Sequence, residues 1–182
     1  MNQADKSAPF QGLYEWMQSI VMVFLLVLVL LTFVGRTMGV QYQSMSPTLH
    51  DGDRMIVRSI LYTPSAGDII VFSRNDFEDG AALVKRVIAL AGDVVDIDTE
   101  SGLVYVNGFP LHEPYTSGPV RVTGTISYPF TVPEGHVFTM GDNRNASTDS
   151  RHVEIAAVDE REIIGQVVAV VLPFDRARLF SH

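Results

Sequence analysis

Three stretches of the chain carry side chains able to act on a carbonyl group. Ser44-Met45-Ser46-Pro47-Thr48-Leu49 offers hydroxyls soon after an apolar run ends. Leu83-Val84-Lys85-Arg86-Val87-Ile88-Ala89 sets an amine in an apolar strand pattern, and Gly141 to Arg151 is a polar stretch rich in turn residues. Alone, the first reads equally well as a Ser-Pro turn. Taken together the three supply a serine nucleophile, a lysine general base and a loop to hold them. A lysine accepts a proton only when its amine is neutral. Its pKa must therefore fall from ~10.4 to about 7–8, a bias on the order of 4 kcal/mol against the charged form. Full burial is an effect of sufficient size.

The surrounding residues offer that burial. In a strand, positions 83, 85 and 87 share one face, which puts Lys85 between Leu83 and Val87 with no carboxylate within four residues. A lone strand lysine ordinarily snorkels at the surface. Lys85, however, is the only lysine after the apolar run, since Lys6 precedes it and the other basic residues are eleven arginines. The 141–151 stretch packs Asp142, Asn143, Arg144, Asp149 and Arg151 around Ser147 and Ser150. It reads either as a solvated loop of Asx turns or as a support, with a hydroxyl to orient the amine and charge pairs for rigidity. Five histidines are present, so a Ser-His-Asp set using His50 or His152 stays open, because triad members meet only in the fold. No H-x-x-x-H spacing points to a metal, and no glycine loop of the Walker or dinucleotide type occurs.

These groups need a scaffold, and the composition limits its kind. Of 182 residues, about 145 follow the apolar run, enough for one domain with a core. The net charge of -8 and pI near 4.9 argue against nucleic acid as a partner. With no cysteine there is no disulfide, thiolate or Cys-zinc chemistry. Residues 1–17 read as a polar tail. Ile20 to Val34 is almost purely apolar, and with its flanks it predicts a transmembrane anchor over 18–38. Arg36 and Thr37-Met38-Gly39 make a poor cleavage site for the rival reading, a removable signal peptide. Lys6 before the span and Arg36 after it leave the orientation unfixed by charge.

Beyond the anchor, 39–182 reads as a mainly β domain of antiparallel sheets. Strands are expected at 54–58, 68–72, 84–88, 136–140 and 166–172, bounded by turns at Gly52-Asp53, Gly67-Asp68 and Gly92-Asp93. Asn107-Gly108 predicts a two-residue hairpin, 117–132 reads as loop, and a short helix capped by Gly165 is expected at 159–164.

In this order the motifs S-M-S-P-T-L (44–49), G-D-I-I-V-F (67–72), K-R-V-I-A-L-A-G-D (85–93) and G-D-N-R-N-A-S-T-D-S-R (141–151) resemble the bacterial type I signal peptidases. These are Ser-Lys membrane proteases that remove signal peptides from exported proteins. The resemblance implies Ser44 as nucleophile and Lys85 as general base. Ser147 would orient the lysine, and Asp149 and Arg151 would brace the loop. It implies the Ser44 amide as one oxyanion donor and position 42 as the second, where this chain departs from the Ser or Gly of other members with Tyr42. Val40, Met45, Leu49, Leu83 and Val84 match positions lining shallow pockets, which implies cleavage after Ala-X-Ala sequences. No metal or organic cofactor is implied. The implied partners are signal peptides of exported pre-proteins, membrane lipid and the secretion translocon. The implied topology is an N-terminus in the cytoplasm and a catalytic domain on the outer face of the plasma membrane, with a small variable β region at about 94–135.

Overall fold

Three turns of one design set the strand frame. They are His50-Asp51-Gly52-Asp53, Ser65-Ala66-Gly67-Asp68 and Leu90-Ala91-Gly92-Asp93. In each the glycine holds a positive φ (83°, 94° and 86°), a conformation open to it because it lacks a Cβ. The aspartate N–H donates to the carbonyl three residues back at 3.0–3.1 Å. Its carboxylate in turn accepts the N–H of that same residue at 2.8–3.0 Å. Each turn thus satisfies its own backbone groups before launching a strand.

The computed structural model describes residues 8–33, 36–39, 43–74 and 81–180. The chain divides after Arg36 into a helical unit and a β unit. In the first, helix α1 runs over Ala8–Phe33, with its side chains exposed from residue 12 to 27. It begins well before the expected anchor, so the tail predicted over 1–17 is helical from Ala8, with Pro9 tolerated in the first turn. Among the described residues no helix is long and apolar enough to cross a membrane. The predicted span over 18–38 also ends differently, because Arg36–Gly39 is strand β1.

The remaining strands are β2 (Arg54–Arg58), β3 (Ile69–Ser73), β4 (Ala82–Ala89), β5 (Val94–Ile97), β6 (Val104–Val106), β7 (Phe109–Pro110), β8 (Phe130–Thr131), β9 (His136–Met140), β10 (Val158–Asp159), β11 (Ile163–Leu172) and β12 (Arg178–Leu179). They form an eight-stranded sheet in the order β1-β2-β11-β3-β4-β9-β10, with β12 also paired to β11, and a four-stranded sheet in the order β7-β6-β5-β8. The pairings between β2 and β12 whose register is resolved are all antiparallel. The mainly β fold therefore agrees with the sequence reading. The expected hairpin forms at Asn107 (φ 53°) and Gly108 (φ 81°), joining β6 to β7.

The expected helix at 159–164 does not form. Asp159 caps a single 3₁₀ turn, Glu160–Glu162, by accepting the Arg161 N–H, and the chain enters β11 at Ile163. Gly165 is not a helix cap but a point of close approach. A Cβ there would lie 2.4 Å from the Arg58 carbonyl oxygen of β2.

Apolar side chains pack in three clusters. Met45, Leu49, Met55, Val57, Ile69, Val71, Val167 and Val170 lie together. Ile70, Phe72, Leu83, Val87, Val137, Ile155 and Val158 form a second. A third, around Phe138 and Met140, joins the small sheet to the large one. The split of Ile69 and Val71 from Ile70 and Phe72 follows the two-residue alternation of a central strand covered on both faces.

Candidate active site

Ser44 opens a tight turn held by bonds from Ser46 N–H to the Gln43 carbonyl at 3.1 Å and from Leu49 N–H to the Met45 carbonyl at 2.9 Å. Met45 and Leu49, 1% and 0% exposed, root this turn in the first apolar cluster. Burying two such side chains contributes roughly 3–6 kcal/mol before entropy is counted, so the serine is borne by an anchored turn. Lys85 comes from the middle of β4, opposite Ile70 of β3. Leu83, Lys85 and Val87 are all buried, as the strand alternation predicts, and Lys85 is 3% exposed. The Lys85 Nζ donates to Ser44 Oγ at 2.8 Å. The two sequence stretches, 41 residues apart, therefore meet at hydrogen-bond distance. Among the described residues no histidine bonds to Ser44.

The 141–151 loop supports this pair from one side. Asn143 N–H donates to the Ser44 carbonyl at 3.0 Å, and its side-chain amide donates to the Gln43 carbonyl at 3.2 Å. Gly141 fits between the two serines. A Cβ on it would lie 2.3 Å from Ser147 Oγ and 2.4 Å from the Ser44 carbonyl oxygen. The Gly141 N–H donates to Asp149 Oδ2 at 2.9 Å, and Asp149 is paired with Arg151 through two bonds, at 2.7 and 2.8 Å. Arg151 also donates to the carbonyls of Val122 and Ser147. Burial pushes the Asp149 carboxyl upward, but the bonds and charge of Arg151 outweigh it and hold the group below the usual carboxylate range. The Ser147 hydroxyl is buried and lies close enough to Asp149 to favour its charge, yet outside hydrogen-bond geometry.

Two further ion pairs flank the loop. Arg86 donates to both oxygens of the fully buried Asp142 at 2.8 and 2.6 Å. Arg144, 1% exposed, donates to both oxygens of Glu113 at 2.6 and 2.5 Å, and its Nε to the Gly141 carbonyl at 3.1 Å. Burial lowers the Arg144 pKa, and the hydrogen bonds and charge of Glu113 more than reverse this. Asn145 clasps a neighbouring segment, donating to the Pro119 carbonyl and accepting the Arg121 N–H. Among the described residues no group of three His, Asp or Glu could hold a metal ion.

The sequence-derived residues are unevenly gathered. Ser44, Lys85, Ser147, Asp149 and Arg151 converge. Met45, Leu49 and Val84 share one apolar cluster, of which Val84 is part-exposed. Leu83 belongs to the opposite face with Val87. Val40 and Tyr42 lie outside the described residues. Arg86, Glu113, Tyr115 and Gly141 take part in the site although the sequence reading assigned them no role. Adjacency to Lys85 and to the GDNR run signals Arg86 and Gly141, but nothing local marks Glu113 or Tyr115.

Comparison with known proteins gives this geometry a family. The family model for signal peptidase, peptidase S26, matches residues 13–172. The chain is 35% identical over 189 aligned positions to signal peptidase I of Bacillus licheniformis, covering 98% of each chain. It is 36% identical over 185 positions to probable signal peptidase I-1 of Synechocystis, covering 97% of this chain and 91% of the relative. A crystal structure of a signal peptidase I from Enterococcus faecalis is 29% identical, covering 58% of this chain and 97% of that one, with a TM-score of 0.45. With the family model matched over residues 13–172 and two curated relatives 35–36% identical over nearly the whole chain, the protein is a serine endopeptidase belonging to the signal peptidase family, peptidase S26.

Proposed function

We propose that the protein removes N-terminal signal peptides from exported pre-proteins, cleaving after Ala-X-Ala sequences. The observation that carries the mechanism is the 2.8 Å approach of Lys85 Nζ to Ser44 Oγ at a buried lysine. Burial disfavours an ammonium and favours the neutral amine a base must be. In the first step Ser44 Oγ attacks the scissile carbonyl carbon as its proton passes to Lys85 Nζ. The tetrahedral oxyanion collapses, the C–N bond breaks, and the new amine leaves with the proton from Lys85. Lys85 then takes a proton from water, whose oxygen attacks the ester carbon. The C–Oγ bond breaks, Lys85 returns that proton to Ser44 Oγ, and the signal peptide leaves as its carboxylate with its acid proton lost to solvent. The Ser44 amide, with a group at position 42, donates to the oxyanion in both halves. Ser147, whose buried hydroxyl has no hydrogen-bond partner among the described residues, is the group available to orient the amine, and Asp149 with Arg151 keeps Gly141 and the loop in register.

The substrate binds as an added strand. On β4 the register with β9 begins only at Arg86. Ala82–Val84 pair in register with β3, and the other side of that stretch is where this reading seats the substrate strand. Val84, packed over Met45 and Leu49, floors a shallow pocket suited to alanine.

The helical unit is the anchor. The apolar run continues from Val27 through Val34, long enough with its flanks to span a bilayer at roughly 20 residues. The apolar part of α1 then crosses the plasma membrane once, with the tail cytoplasmic, the catalytic domain outside and the secretion translocon as neighbour. Two assays test this. Mass spectrometry of a cleaved pre-protein should give a new N-terminus directly after Ala-X-Ala, and phenylalanine in place of the last alanine should stop processing. In alkaline carbonate the full chain should stay with the membrane pellet; release into the supernatant refutes the anchor.

A further inference from the structure

The small β region is joined to the catalytic loop by residues outside every motif above, and two of them reach both sides of Ser44. Tyr115 donates its hydroxyl to Glu113 Oε1 at 3.0 Å. Glu113 grips Arg144 through both oxygens, and Arg144 Nε donates to the carbonyl of Gly141, the glycine wedged between Ser44 and Ser147. The Tyr115 ring lies under the Arg86 guanidinium, 3.9 Å from its centroid. Arg86 holds Asp142 through two bonds, and the next residue, Asn143, donates its N–H to the Ser44 carbonyl. Both routes begin at Tyr115 and end on the backbone that carries the nucleophile.

The chemistry suits a rigid clamp. Forked guanidinium–carboxylate pairs fix orientation as well as distance, and a guanidinium stacked on a ring is further restrained. Arg144 and Asp142 are both buried, so losing either partner leaves a buried charge that must move to find another. Such a move drags Gly141 or Asn143 with it.

We infer that Glu113 and Tyr115 are positioning residues for the Ser44–Lys85 pair, acting through Arg144 on Gly141 and through Arg86–Asp142 on Asn143. This rests on the peptidase reading above, and the test separates the two. Wild-type, E113Q, E113D, Y115L and Y115F full-length chains are compared in detergent on an Ala-X-Ala pre-protein, at a temperature where circular dichroism finds each folded. R161A, which breaks an exposed pair with Asp159, serves as control. E113Q and Y115L should lower kcat by about 10–100-fold, the scale of a site misplaced by about 1 Å, with KM unchanged. E113D and Y115F, each retaining one arm, should recover part of the loss, and E113Q combined with Arg144→Gln should be far from additive. Amide exchange should quicken at Gly141, whose N–H is bonded to Asp149, in E113Q and at Asn143 in Y115L, a readout that needs no activity. Wild-type kcat in either variant, an effect confined to KM or to the folded fraction, or unchanged protection at Gly141 in E113Q or at Asn143 in Y115L overturns the inference. A wild-type chain that cleaves nothing refutes the peptidase reading instead, and the exchange result still decides this one.

Discussion

Gly141→Ala is the sharpest test of how the loop holds the nucleophile. Its added Cβ would stand 2.3 Å from Ser147 Oγ and 2.4 Å from the Ser44 carbonyl oxygen, where ordinary contact begins at 3.4 Å. Neither neighbour is the free end of a long side chain, and the Ser44 carbonyl is already bonded to Asn143 N–H. The two segments must therefore separate by about 1 Å, a displacement that costs on the order of 10²-fold in rate, equivalent to about 2.7 kcal/mol in the barrier. Overpacking of this kind also costs about 1–3 kcal/mol of stability. The assay is pre-protein cleavage with kcat and KM resolved, run well below the melting transition, beside Gly92→Ala. Gly92, unlike Gly141, has a positive φ, 86°, and nothing within 4 Å of a Cβ. That variant should lose about 1–2 kcal/mol through backbone strain alone while keeping its kcat. Wild-type kcat in Gly141→Ala, or an equal fall in Gly92→Ala, refutes the claim that Gly141 sets the serine's position.

Asp149→Ala should lose about 3–5 kcal/mol in urea unfolding, because it strands the buried Arg151 guanidinium. The Asp149 carboxyl is held below its unfolded value, so its stabilisation is complete above the unfolded pKa and is lost as pH falls through the folded one. Acid titration of stability should consequently be flatter in Asp149→Asn than in wild type, and an identical acid limb would contradict the assignment. Gly165→Ala, with its Cβ 2.4 Å from the Arg58 carbonyl oxygen, should lower stability by about 1–3 kcal/mol while kcat holds, measured by thermal melting and cleavage side by side. Asn145→Ala should loosen the 119–121 segment it clasps, seen as faster amide exchange at Arg121, whose N–H its side chain accepts.

Much of the frame was legible because it is local. The Gly-Asp turns, the Asn107-Gly108 hairpin and the alternation that buries Leu83, Lys85 and Val87 each depend on a handful of adjacent residues. The 159–164 segment misled because its glycine answers to a distant carbonyl on β2, not to a helix end. Met45 and Leu49, which the resemblance places along shallow pockets, are also buried in the first apolar cluster, and that rooting of the turn depends on strands far away in the chain. Glu113 and Tyr115 left no local trace at all, since their partners Arg144 and Arg86 are about 30 residues away along the chain in either direction. Pairings of that kind are made by the fold alone.

The central claim is that a neutral Lys85 takes the proton of Ser44. The most direct measurement is cleavage of an Ala-X-Ala pre-protein across pH by wild type, Ser44→Ala and Lys85→Ala, each shown to be folded by circular dichroism. Processing at the expected bond by wild type, failing as pH drops and the amine becomes charged, and absent from both variants at every pH, is the predicted result. Substantial cleavage by a folded Lys85→Ala chain would contradict it.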